Sequence, residues 1–218
     1  MKPLAGPDKI SDKGAKIFAL DSFRPRSSLS PLRQAEAYWA ALREGDGVPK
    51  RAAIDPRGLS NLLQYAFILE RVAPGVARFR LAGQHLTQLM EMEVSGIPLT
   101  ALFAGSDRQA VSDHLSRLFD GPAIVELTLN GQRRFGRKTP GARMILLPLR
   151  SECGRIDRAL GVVVSDDDAD RNIGQLRIEA AHHRAVDPDF EPAPRPDATS
   201  PLHPRARAGV RLVSVDET

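Results

Sequence analysis

The densest group of chemistry-bearing side chains lies between Gln132 and Arg143. There Arg133, Arg134, Arg137, Lys138 and Arg143 are interleaved with Gly136 and Gly141. Guanidinium forks beside glycines suit phosphate or carboxylate groups, because each fork grips two oxygens. A nucleotide second messenger, an acidic partner surface or anionic lipid would meet that chemistry. So would the plainer role of charges that keep an exposed hairpin in solution. His114 falls at helical spacing with Val111, Leu115 and Leu118, either as a ligand or as a packed imidazole. Cys153 is the single cysteine, which excludes an internal disulfide and a cysteine-rich metal centre. Asp166, Asp167, Asp168 and Asp170 lack calcium-loop spacing, and the adjacent His182 and His183 would point to opposite faces of a strand, so no metal site is expected. Nor is there a Gly-x-Ser-x-Gly elbow, a phosphate loop or a His-Glu-x-x-His pair. These residues point away from an enzyme.

The totals agree with a binding or regulatory role. The 218 residues hold one domain of ordinary size plus extensions. Basic residues exceed acidic ones by 31 − 27 = 4, and aromatics are 5% of the chain. That is too little charge for a DNA-binding stripe and too few rings for a base-stacking surface, so no nucleic-acid partner is expected. No apolar run approaches the roughly 20 residues that span a bilayer. With one cysteine and no secretory leader, the expected location is the cytoplasm.

The elements that must position these residues follow from periodicity. Residues 1–29 mix charge, glycine and proline without a pattern and are expected to form a flexible arm. Ser30-Pro31 then starts a helix whose apolar stripe is Ala35, Tyr38, Trp39 and Leu42. That stripe can pack on the domain's own sheet or on a second copy of the chain. Asp55-Pro56 starts a short helix with Leu59, Leu62 and Leu63. Two strands, 64–72 and 76–82, meet at the turn Pro74-Gly75 as an antiparallel hairpin. Leu86, Leu89 and Met90 share a face of the next helix, and Leu99, Leu102 and Phe103 form another apolar turn after Gly96 and Pro98. Ser106 is the expected cap of the longest helix, which carries Val111, His114, Leu115, Leu118 and Phe119 inward. Three more strands follow, at 123–130, 144–149 and 159–164. Residues 166–218 are expected to be an acidic, proline-rich extension largely without structure, although 175–181 could form one more strand or a short helix.

Several strings carry a family likeness: Trp39-Ala-Ala-Leu-Arg-Glu-Gly45, Asp55-Pro-Arg57, Phe79-Arg-Leu-Ala-Gly83 and Gly96-Ile-Pro-Leu-Thr-Ala-Leu-Phe103. From about Ala35 to Val164 the chain resembles a bacterial family of small, largely uncharacterised single-PAS proteins. The resemblance implies an α+β fold, a five-stranded antiparallel sheet in the order 2-1-5-4-3 with short helices over one face. The domain would span 30–165, counting its N-terminal flanking helix. No output domain is expected after it, and the implied protein would then act through partners or self-association.

The family's chemistry can then be tried on these residues. A flavin photosensor of this class needs a cysteine in the helical segment, and Cys153 lies in a late inter-strand loop. Haem-binding relatives use a histidine on the long helix, where His114 sits, and His85 could face the same cavity. Leu86, Leu89, Met90, Leu102, Phe103, Leu115 and Leu118 would line a cavity for a small apolar ligand, or fill it. The expected function is a non-enzymatic regulatory module acting through protein contacts. The expected dimer contact is Tyr38, Trp39 and Leu42, the ionic partner site Arg133, Arg134, Arg137 and Lys138. The alternative is a haem or small-molecule sensor.

Overall fold

The computed structural model describes residues 30–45, 47–131, 141–165 and 173–186. Their core is one antiparallel sheet of six strands: β1 (Ala66–Ala73), β2 (Val76–Ala82), β3 (Ala123–Asn130), β4 (Gly141–Arg150), β5 (Ile156–Ser165) and β6 (Arg177–Ala185). Their spatial order is β2-β1-β5-β4-β3-β6. The first five stand in the order expected. The sixth corrects the count of five, and it shows that 173–186 is a structured part of the extension. In sequence β6 hides well, because Arg, Glu and two His sit among short alanines and none of its residues is buried.

Helices cover both faces of the sheet rather than one. Strand side chains alternate up and down, and the long apolar runs of β4 and β5 therefore need cover on each side. Met144, Leu146, Ala159 and Val163 face one core together with Phe67, Leu69 and Phe79. Ile145, Leu147, Leu149, Leu160, Val162 and Val164 face the other. The first core is roofed by α2 (Gln84–Met90), the 3-10 turn Leu99–Leu102 and α3 (Arg108–Asp120). The second is roofed by α1 (Ser30–Ala41) and the stretch holding Ile54, Leu59 and Leu62.

Local signals explain the joints. Asp55 accepts a hydrogen bond from the Arg57 N–H at 2.9 Å with Pro56 at the first position, which starts a 3-10 turn rather than an α-helix. Leu59 and Leu62 are buried after it, while Leu63 turns outward. The Pro74-Gly75 turn is present, with Gly75 at φ +67°. Gly83 leaves β2 where the carbonyls of Leu63 and Gln64 lie so close that a side chain would strike them.

Candidate functional site

The space between helices and sheet is where a ligand would sit, and the chain fills it. Leu86, Phe103, Leu115 and Leu118 are 0% exposed, so no void the size of a water molecule adjoins them. Leu89 and Leu102 are buried beside them, and Met90 reaches only the rim. Phe67 and Phe79 stack edge to face across the middle, ring centres 5.3 Å apart. The Phe67 ring lies over Gly161. The six predicted buried lining residues thus come together as packing.

His114 takes a different place from the one its spacing predicts. Its ring lies 4.9 Å from that of His183 on β6, at the sheet's edge rather than in the interior. The Nδ1 atoms of both rings are buried without a hydrogen-bond partner. Burial holds the pKa of His114 below its usual value, aided by repulsion from His183 when that ring is protonated and by the Arg117 cation. His183 is lowered in the same way, by burial first and then by Arg117. His85 stands edge-on to Tyr65 at 4.9 Å, half-buried. With His114 turned to β6 and the interior occupied, the residues present do not fit a haem. They do not fit the flavin chemistry of this fold either. Cys153 is exposed in the turn between β4 and β5, its thiol 3.1 Å from the Ser151 hydroxyl, which holds its pKa down.

The apolar stripe of α1 resolves onto the chain's own sheet. Trp39 is 1% exposed and donates its indole N–H to the Pro148 carbonyl at 2.7 Å. Tyr38 and Leu42 flank it, partly buried against the same core. The Tyr38 hydroxyl accepts from the Asp55 N–H at 2.8 Å. In this arrangement Trp39 cannot serve as a contact to a second copy, which removes the anchor of the predicted dimer surface. Arg133, Arg134, Arg137 and Lys138 lie outside the described residues. His182 and His183 do point to opposite faces: His183 to α3, His182 to a cleft of about 180 Å³ shared with Leu32, Glu126 and Arg143. Among the described residues no three potential metal ligands gather, and no helix is long and apolar enough to cross a membrane.

Sequence reasoning missed the segment that closes the helical side. Ile173 and Leu176 are 1% and 0% exposed within the first core. Ile173 donates its N–H to the Leu89 carbonyl at 3.1 Å, and Leu176 its own to Leu102 at 2.9 Å. The Asp107 carboxylate, at the mouth of α3, accepts from the Ile178 N–H at 2.9 Å. The expected Ser106 cap is absent; its hydroxyl donates to Asp107 instead. The alternation of Leu176 and Ile178 was the only signal in the sequence, and it left a strand or a short helix open, without a destination. Beside this segment an open cleft of about 510 Å³ is lined by Met90, Met92, Ile97, Ala101, Leu102, Gly174 and Gln175.

No curated protein matches the chain. Among solved structures, the light-state structure of the blue-light photoreceptor Aureochrome1 LOV is 18% identical with a TM-score of 0.38, covering 51% of this chain and 88% of that one. A Rhodobacter sphaeroides LOV protein is 17% identical with a TM-score of 0.36, covering 63% of this chain and 69% of that one. A family model described as PAS domain matches residues 27–164, more than half of the chain. The chain belongs to the PAS domain family.

Proposed function

We propose that this protein is a non-enzymatic regulatory PAS module that works through protein contacts. The observation that carries the reading is the filled centre. Leu86, Phe103, Leu115 and Leu118, with no adjoining water-sized space, occupy the middle of the region where a sensed molecule would lie, and the open cleft beside Leu102 lies at its rim. A ligand of useful size would have to displace several of them from a close-packed core. Surface change is the cheaper route for information. The cytoplasm suits a chain whose one cysteine is exposed and unpaired.

Native mass spectrometry of freshly purified protein tests this. The expected spectrum contains only bare polypeptide masses, as monomer or oligomer. A stoichiometric small-molecule adduct, or a visible absorption band in the same sample, would overturn the contact reading in favour of a ligand sensor. A homodimer in that spectrum would have to form without Trp39, which the domain's own sheet occupies.

A further inference from the structure

Residues 173–185 lie on the domain as a bound peptide lies on a receptor. Main-chain bonds run from Ile173 to the end of α2, and from Leu176 to Leu102 and Ala104, with Phe103 and Leu176 paired in parallel. The run then adds a strand to the edge of β3, from Arg177 opposite Asn130 to Ala185 opposite Ala123. It ends where Val186 donates to the Pro122 carbonyl at 2.9 Å. Ile173 and Leu176 are buried in the first core and Val186 in the second. Ile178 and Ala181 pack partly buried against the first, and no residue of β6 is fully buried. Backbone pairing on a sheet edge plus a few apolar anchors is the pattern of recognition by strand addition. The family match stops at residue 164, so the whole run lies beyond it.

We propose that the groove between α2, the turn Leu99–Leu102, the start of α3 and the β3 edge is a peptide-binding site. In cis it holds residues 173–185. In trans it takes an extended segment of a partner protein, one with two apolar side chains three residues apart followed by a strand. This rests on the protein-contact reading above and names the chemistry of the partner.

Two features favour exchange over a fixed strand. Most of the bonds holding 173–185 are made by its backbone, so another sequence can make them equally well. An empty groove would leave the β3 ladder and the Leu89 and Leu102 carbonyls unpaired, so release goes with replacement. The cis segment also fits imperfectly. Gly174 and Gln175 border the open cleft of Met90, Met92, Ile97 and Ala101, and methionines readily repack around a new side chain. Gly174 has φ +67°, which bars bulk at that position. Gln175 is exposed, and a large apolar side chain in its place would cover the cleft. The better partner therefore reads apolar, glycine, large apolar, apolar. It must also outcompete a tether of seven residues, 166–172, which keeps the cis segment at an effective concentration on the order of millimolar.

The test uses the full chain with a protease site introduced within 166–172, so that the cis segment can be cut from its tether. Fluorescein-labelled peptides of residues 172–187 are added before and after cutting, and anisotropy is read. The expected result is binding to the cut chain, at least tenfold weaker binding to the uncut one, several-fold tighter binding of the Gln175→Leu peptide, and none of the Leu176→Asp peptide. As a second variant, uncut chain carrying Leu176→Ala should admit the wild-type peptide more readily than the parent. The proposal fails if the cut chain, folded by Trp39 fluorescence, excludes every peptide or accepts the Leu176→Asp peptide equally. It fails also if cutting unfolds the domain, since 173–185 is then an obligatory strand. Such failure leaves the contact reading standing, because the native mass spectrum tests that separately.

Discussion

Gly161 and Phe67 show how closely single residues determine this interior. A Cβ at residue 161 would lie 2.1 Å from the Phe67 ring, far inside contact distance, and the ring is held on its other side by Phe79. Gly161→Ala should therefore destabilise the fold by about 3 kcal/mol through overpacking. For a chain of this length that lowers Tm by roughly 10 °C in a thermal melt. Adding Phe67→Leu should return part of the loss, because the two residues share one contact. An unchanged Tm in Gly161→Ala would mean that the centre of the sheet has spare room and that the interior is not filled. In the sequence Gly161 reads only as a gap in an apolar strand. Its necessity appears once β1 is paired with β5 and Phe67 stands opposite it.

Helix α3 and strand β6 meet through one titratable pair, and pH should act there. His114 and His183 both have folded pKa values below the ordinary one. Their protonated forms are thus favoured by unfolding, so stability is full above the usual histidine range and falls as pH drops through about 6.5. Arg117 and Asp113 face the pair from α3, and His182 neighbours it on β6. Arg117 adds to the penalty for charging either ring, and Asp113 eases it for His114. Between pH 7.5 and 5.5 the Tm should decline, and His183→Asn should flatten that decline while leaving the value at pH 7.5 nearly unchanged. An equal slope in the variant would assign the pH response to other groups. The helix and its apolar face were legible in the spacing of Val111, Leu115 and Leu118. The partner of His114 was not, because it comes from a strand 69 positions away whose residues are all partly or fully exposed.

Across the molecule, the sheet is sandwiched between two cores, and α1 belongs to the second. Trp39 joins that core and bonds Pro148, while Arg184 of β6 bridges Glu36 of α1 at 2.6 Å and Glu126 of β3 at 2.7 Å. Both ion pairs are partly exposed and add little; the indole carries the attachment. Trp39→Ala should cost about 3–5 kcal/mol of unfolding free energy, measured by far-ultraviolet circular dichroism in urea. A loss under about 1 kcal/mol would return Trp39 to the candidates for an intermolecular contact. The amino-acid order alone determined that five strands run between residues 64 and 164, their turn at Pro74-Gly75 and which leucines face the helical side, because alternation and helical spacing are local properties of the chain. It left open whether those leucines line a cavity or fill it. Tertiary structure decided that α1 lies on its own sheet, that His114 faces β6, and that Ile173 and Leu176 close the helical side. Each of those depends on contact between segments far apart in the chain, which no local periodicity encodes.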